Sequence, residues 1–152
     1  MTQSADNQRQ SRFAWAPAIL IMTVLFVASA QPKHPPPGDE QTLVYFSGMM
    51  PIFYGAWDLV IKKLAHLVVY GVLGVACLYA LRRSGVALRQ ASYLAIVLAT
   101  CYGISDELHQ TFVTGRHASP FDVLIDFAGA GLFVLAARRY YPRIAAWLSR
   151  PR

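Results

Sequence analysis

The chain has 152 residues, 55% of them hydrophobic and only 14% charged, with a mean hydropathy of +0.36. A soluble domain of this length carries about a quarter charged residues, so the composition argues against a soluble globular fold and for a single integral membrane domain spanning residues 1–152. The net charge of +6 comes with no aromatic-interleaved basic groove and no known binding motif, so no nucleic-acid partner is expected.

Blocks of roughly 18 or more apolar residues with few charges are candidate membrane spans, and four blocks predict an all-α protein with four transmembrane helices. The first, Phe13 to Ala30, carries no charge. A basic N-terminal region before it and the sequence Ala28-Ser29-Ala30 ahead of Gln31 also resemble a cleavable secretory signal. The apolar run is long for a signal core, which is about 7 to 15 residues, so a retained helix is the reading adopted. Next comes one long extracytoplasmic loop, Gln31 to Ile61. It opens with a proline-rich stretch and continues through Tyr45, Phe46, Met49, Met50, Phe53, Tyr54 and Trp57, a composition suited to the headgroup region.

The second block, Leu64 to Leu81, carries only His66 as an ionisable imidazole. Asp58, Lys62, His66, Tyr70 and Gly74 recur at four-residue intervals, which on a helix makes one slowly drifting stripe descending into the membrane. The third block, Ala91 to Ser105, is short and runs into Asp106 and Glu107. Tyr102, Asp106 and either His109 or Gln110 share a face there. Two acids at a helix C-terminus oppose the macrodipole, so at least one of Lys62, Lys63 and Arg116 is expected to contact them, with Arg116 pointing into the site. The fourth block, Phe121 to Tyr140, begins with Ser119 as N-cap, Pro120 at the first helical position and Asp122 at the third, the pattern of a capping box. Capping accounts for Asp122 but not for Asp126 one turn deeper, nor for Gly129 and Gly131, which suit close helix approach. Ionisable groups near membrane depth mark a functional site by default.

Lys and Arg collect in cytoplasmic loops. With an inside N-terminus, Arg9, Arg12, Arg82, Arg83, Arg89, Arg138, Arg139, Arg143, Arg150 and Arg152 fall inside, and Lys33, Lys62, Lys63 and Arg116 fall outside. The bias predicts a multi-pass protein of the bacterial inner membrane with both termini cytoplasmic. Cys77 and Cys101 lie in apolar segments without a partner at metal-ligand spacing, so neither a disulfide framework nor a zinc site is expected.

Lys62 to His66 with Tyr70 following, Asp106-Glu107 with Gln110, Gly115-Arg116, and Asp122 with a polar residue four positions on and Gly129 together resemble the VanZ-like family of small bacterial membrane proteins. The family is named for an accessory protein of teicoplanin resistance. The resemblance implies a polytopic envelope protein with its polar residues gathered on one side. Two departures stand out: Asp126, where the family commonly has Asn, and Lys62-Lys63, where Asp-Lys often precedes the helix.

Two functional expectations follow. In the first, the site recognises a lipid-linked, cell-wall-related or glycopeptide ligand through Lys62, Tyr70, His109, Gln110, Arg116, Asp122 and Asp126, with membrane lipids and a second copy of the chain as further partners. In the second it is an enzyme site, with Glu107, Asp106 and His66 supplying acid and base chemistry on a phosphate-bearing lipid or headgroup. A proton relay through Lys62, His66 and Asp126 is a weaker third. No cofactor motif is legible, and the acids with His109 match no established metal spacing, so no metal is assigned. Ser105, at a helix end, and Ser119, a cap, are poor nucleophiles.

Overall fold

Proline can open an α-helix but not continue one, and three of the four helices in this chain have a proline within their first two positions. The computed structural model of the protein describes residues 11–31, 51–116 and 118–148. The helices are α1 (Ala16–Ser29), α2 (Pro51–Arg83), α3 (Leu88–Gln110) and α4 (Pro120–Leu148), and no strand occurs among the described residues. Pro17 lies at the start of α1, and Pro51 and Pro120 are the first residues of α2 and α4.

Among the described residues, three helical stretches are long and apolar enough to cross a membrane: Ser11–Ser29, Val60–Arg83 and Pro120–Tyr141. At 23 residues α3 is about 35 Å long at 1.5 Å per residue, which matches a bilayer core, but it carries Arg89, Asp106 and Glu107 and lacks the apolar content. The expected loop between the first two spans is partly helical, because α2 begins at Pro51. After that proline the helix runs through Gly55 without a break, so residues 51–61 extend the second helix. Residues 32–50, with the proline run and Tyr45, Phe46, Met49 and Met50, lie outside the described residues.

Helix α4 packs against both α2 and α3, which also pack on each other, while α1 covers one side of the α2 and α3 pair. The core is drawn from Tyr70, Leu73, Cys77, Leu78 and Leu81 of α2, Ala91, Ala95 and Ala99 of α3, Ala130 and Val134 of α4, and Ala18 of α1. Lipid is as apolar as leucine, so such helices are held by close van der Waals contact and interhelical polar bonds, and small residues at the crossings permit the approach. At Gly129 the fit is tightest: a Cβ placed there would lie 2.1 Å from the Leu67 carbonyl oxygen. Gly71 and Gly74 make room in the same interface for the Phe133 ring and for Val134. Gly131 does not share this role, since a Cβ there meets nothing within 4 Å; two residues on from Gly129, it falls on another helix face.

The α2–α3 turn is a Schellman motif. Val86 N–H reaches Leu81 O and Gly85 N–H reaches Arg82 O, with Gly85 at φ +86° supplying the left-handed residue such a cap needs. The outward faces carry Ile19, Leu20, Val24, Val68, Val72, Val97, Phe127, Leu132 and Leu135, all about half exposed or more except Val68 and Val72 at 45%. In water so much exposed apolar surface would be a liability; against acyl chains it is the favourable exterior.

Candidate functional site

The end of α1, the start of the apolar part of α2, the end of α3 and the start of α4 meet at one end of the bundle, and the ionisable residues gather there. Asp106 is 5% exposed, Glu107 4% and Asp126 0%, so three carboxyl groups sit inside protein rather than in solvent. Each needs donors, because an uncompensated buried charge is strongly destabilising.

His66 Nδ1 lies 3.0 Å from Asp126 Oδ1, across the α2–α4 interface. The imidazole stacks on Tyr70, with ring centroids 6.0 Å apart. Below it the buried Tyr70 hydroxyl donates to Asp106 Oδ2 at 3.3 Å, and Gln110 Nε2 donates to the same oxygen at 3.1 Å and to Glu107 Oε1 at 3.4 Å. Asp126 Oδ2 looks toward Gly103, where a Cβ would come within 2.9 Å of it. Glycine is what allows α3 to close over this carboxylate.

Ser119 N–H donates to Glu107 Oε2 at 2.7 Å. In a capping box that amide would bond the acid three residues on, Asp122. Here Glu107, arriving from α3, takes the amide at the positive end of α4. Asp122 is thereby left to pair with Lys63, both groups only partly buried. The Lys63 ammonium also lies 5.5 Å from the centre of the Phe121 ring.

The expected cationic compensation of Asp106 and Glu107 is thus replaced by neutral donors, namely a phenol, a side-chain amide and a backbone N–H. Arg116 does not point into the site. It donates to Gln31 O at 3.0 Å, Ala28 O at 3.1 Å and Gln110 Oε1 at 3.3 Å, tying the α3–α4 turn to carbonyls at the end of α1 and touching the acids only through Gln110. Gly115 at φ +75° makes the turn that sends Arg116 that way. His109 likewise turns to α1, stacked on Phe26 at 4.4 Å with Nδ1 3.4 Å from Ser29 Oγ.

The chain matches the model of the VanZ/LLP1 family over residues 14–141. It belongs to that family. No curated protein and no solved structure matches it.

Across the VanZ/LLP1 region the geometry brings together His66, Tyr70, Asp106, Glu107, Gln110, Asp122 and Asp126, while His109 and Arg116 serve the α1 contact and Lys62 lies exposed. Lys63 is expected from the sequence only as a candidate cation for Asp106 or Glu107 and not as a ligand-binding residue; it pairs with Asp122. Counting by fours from Asp58 selects Lys62, but the buried residues of α2 run Tyr70, Leu73, Cys77 with steps of three and four. Continued backward, that alternation gives His66 and Lys63, so the inward-facing lysine was legible from the apolar register below it.

Proposed function

We propose that the protein spans a bacterial inner membrane four times, with both termini cytoplasmic, and that its outward-facing polar end binds the headgroup of a lipid-linked or cell-wall-related ligand. One observation carries this reading: three buried carboxyl groups lie behind a rim of His66, Lys63 and Asp122 that is only partly covered. Carboxylates accept hydrogen bonds from hydroxyl and amine groups, which sugars and amino headgroups supply, and Lys63 offers a point charge for a phosphate or carboxylate. A ligand held in the membrane by its lipid can present such a headgroup at this depth. A link to glycopeptide resistance, with teicoplanin as the family's namesake drug, follows if the ligand is a cell-wall precursor.

The test is binding by the detergent-purified full chain, read by native mass spectrometry against phospholipids, polyprenyl phosphates and glycopeptides. One class should bind, and Lys63→Ala and His66→Ala should each weaken it at least tenfold, or about 1.4 kcal/mol. Equal retention of every lipid by wild type and both variants would sink the proposal.

The His66–Asp126 contact favours a second reading. An imidazole oriented by a buried carboxylate is suited to general acid and base work, and Glu107 and Asp106 lie close enough to interact with it electrostatically. Turnover of a phosphate-bearing lipid that is lost in Glu107→Gln while binding survives would establish this alternative.

A further inference from the structure

Donor atoms of His66, Glu107 and Asp122, one from each of three helices, lie within 4.8 Å of one another. From this geometry we infer that the outer end of the bundle holds a divalent first-row transition ion, of the Mn2+ or Zn2+ class, ligated by His66, Glu107 and Asp122 with Asp126 behind the imidazole. This deepens the headgroup-binding proposal and rests on it for the ion's purpose, which is to present a positive centre to a headgroup oxygen; the existence of the ion site is a separate question.

Metal–nitrogen and metal–oxygen bonds of about 2.0–2.2 Å put neighbouring donors roughly 3–3.5 Å apart. The imidazole is prepared for ligation in a specific way: its Nδ1 faces Asp126 Oδ1 at 3.0 Å, so a neutral ring donating there presents the lone pair of Nε2. Ligating histidines almost always carry such a carboxylate or carbonyl on the other nitrogen, which fixes the tautomer and raises ligand basicity.

Two buried carboxylate oxygens behind the cluster add to the negative charge that surrounds it. Asp106 Oδ1 and Asp126 Oδ2 have no hydrogen-bond partner, although their residues are 5% and 0% exposed. Asp126 touches the ligating ring, and Asp106 is bonded to the Tyr70 that stacks on it. The four carboxyl groups of the site have Lys63 on Asp122 and His66 on Asp126 as their paired bases. A dication beside Glu107 and Asp122 would offset the remaining negative charge in a medium where charges are weakly screened. The donor set selects the ion class: imidazole suits zinc and its neighbours, carboxylates suit manganese, and no thiolate is offered. Cys77 is in the hydrophobic core and Cys101 on the exterior.

The test uses tag-free full-length protein in detergent, stripped with a chelator and dialysed against Mn2+ or Zn2+. One ion per chain is expected. His66→Ala and Glu107→Gln should each weaken binding at least tenfold, and Asp126→Asn, which alters only the support of the ring, should weaken it 10- to 100-fold. Should a variant fail to fold, the wild type still answers: electron spin-echo modulation of bound Mn2+ must show the nitrogen of one directly coordinated imidazole. Lack of stoichiometric binding, or bound Mn2+ without that nitrogen, overturns the inference. Headgroup binding that persists at full strength in chelated protein would overturn the ion's role in presenting the headgroup while leaving the proposed function standing. An ion bound as described in a protein that takes up no lipid-linked ligand would instead uphold the site and sink the headgroup reading.

Discussion

A carboxyl group in the position of Asp126 has one oxygen on His66 and the other facing Gly103 without a donor. Leaving a buried acceptor unmet costs about 1–3 kcal/mol, and more when the group is charged. The residue is thus kept at some expense in stability, as functional groups commonly are. Asp126→Asn keeps an oxygen for the imidazole N–H and removes the buried charge. The melting temperature of Asp126→Asn in detergent is expected to rise, by the equivalent of about 0.5–2 kcal/mol. A fall instead would mean that the carboxylate is fully compensated in place and stabilises the fold.

The α2–α4 crossing decides whether these side chains can meet at all. A Cβ on Gly129 would stand 2.1 Å from a backbone oxygen of α2, a contact that no side-chain rotation relieves, so the helices must separate. Gly129→Ala should therefore destabilise by about 1–3 kcal/mol or more and pull Asp126, three residues away, off His66. Gly131→Ala meets open space and should be neutral, or stabilising by up to about 1 kcal/mol through helix propensity. Thermal unfolding of the two variants side by side checks the pair, and equal effects would refute the packing argument. That contrast also marks the limit of the sequence reading. The apolar blocks, the capped start at Pro120 and the acids at the end of the third helix are local signals, and they placed the apolar helical segments and most of the polar cluster, though not the start of α2 at Pro51. Gly129 and Gly131 look alike in sequence, as do Lys62 and Lys63, and only the register of the neighbouring helix separates them. The roles of Arg116 and Glu107 were illegible for a related reason. Arg116 is drawn to carbonyls at the end of α1, and Glu107 to an amide of α4; both partners are backbone groups, and a sequence does not advertise which of those a distant side chain will reach.

For the whole molecule the charge distribution is the basis of the proposed orientation. Arg82, Arg83 and Arg89 flank the α2–α3 turn and Arg138, Arg139 and Arg143 lie in the second half of α4, at the end away from His66 and the acids. Arginine-rich ends are retained on the cytoplasmic side during insertion, where anionic lipids attract them further. On the proposed topology the polar cluster is on the outer side, the face from which an envelope ligand would be reached. Thr114 in the α3–α4 turn and Arg89 at the start of α3 are both exposed, and they lie at opposite ends of α3. In intact cells, a membrane-impermeant maleimide should label Thr114→Cys and should label Arg89→Cys only after permeabilisation. Cys101, which lies between them on the exterior of the apolar part of α3, should stay unlabelled because thiols react poorly in an apolar setting. The reverse pattern would place His66, Glu107 and Asp122 on the cytoplasmic side. The ligand would then have to be one met inside the cell, and the envelope-facing proposal would fail even if the ion site were real.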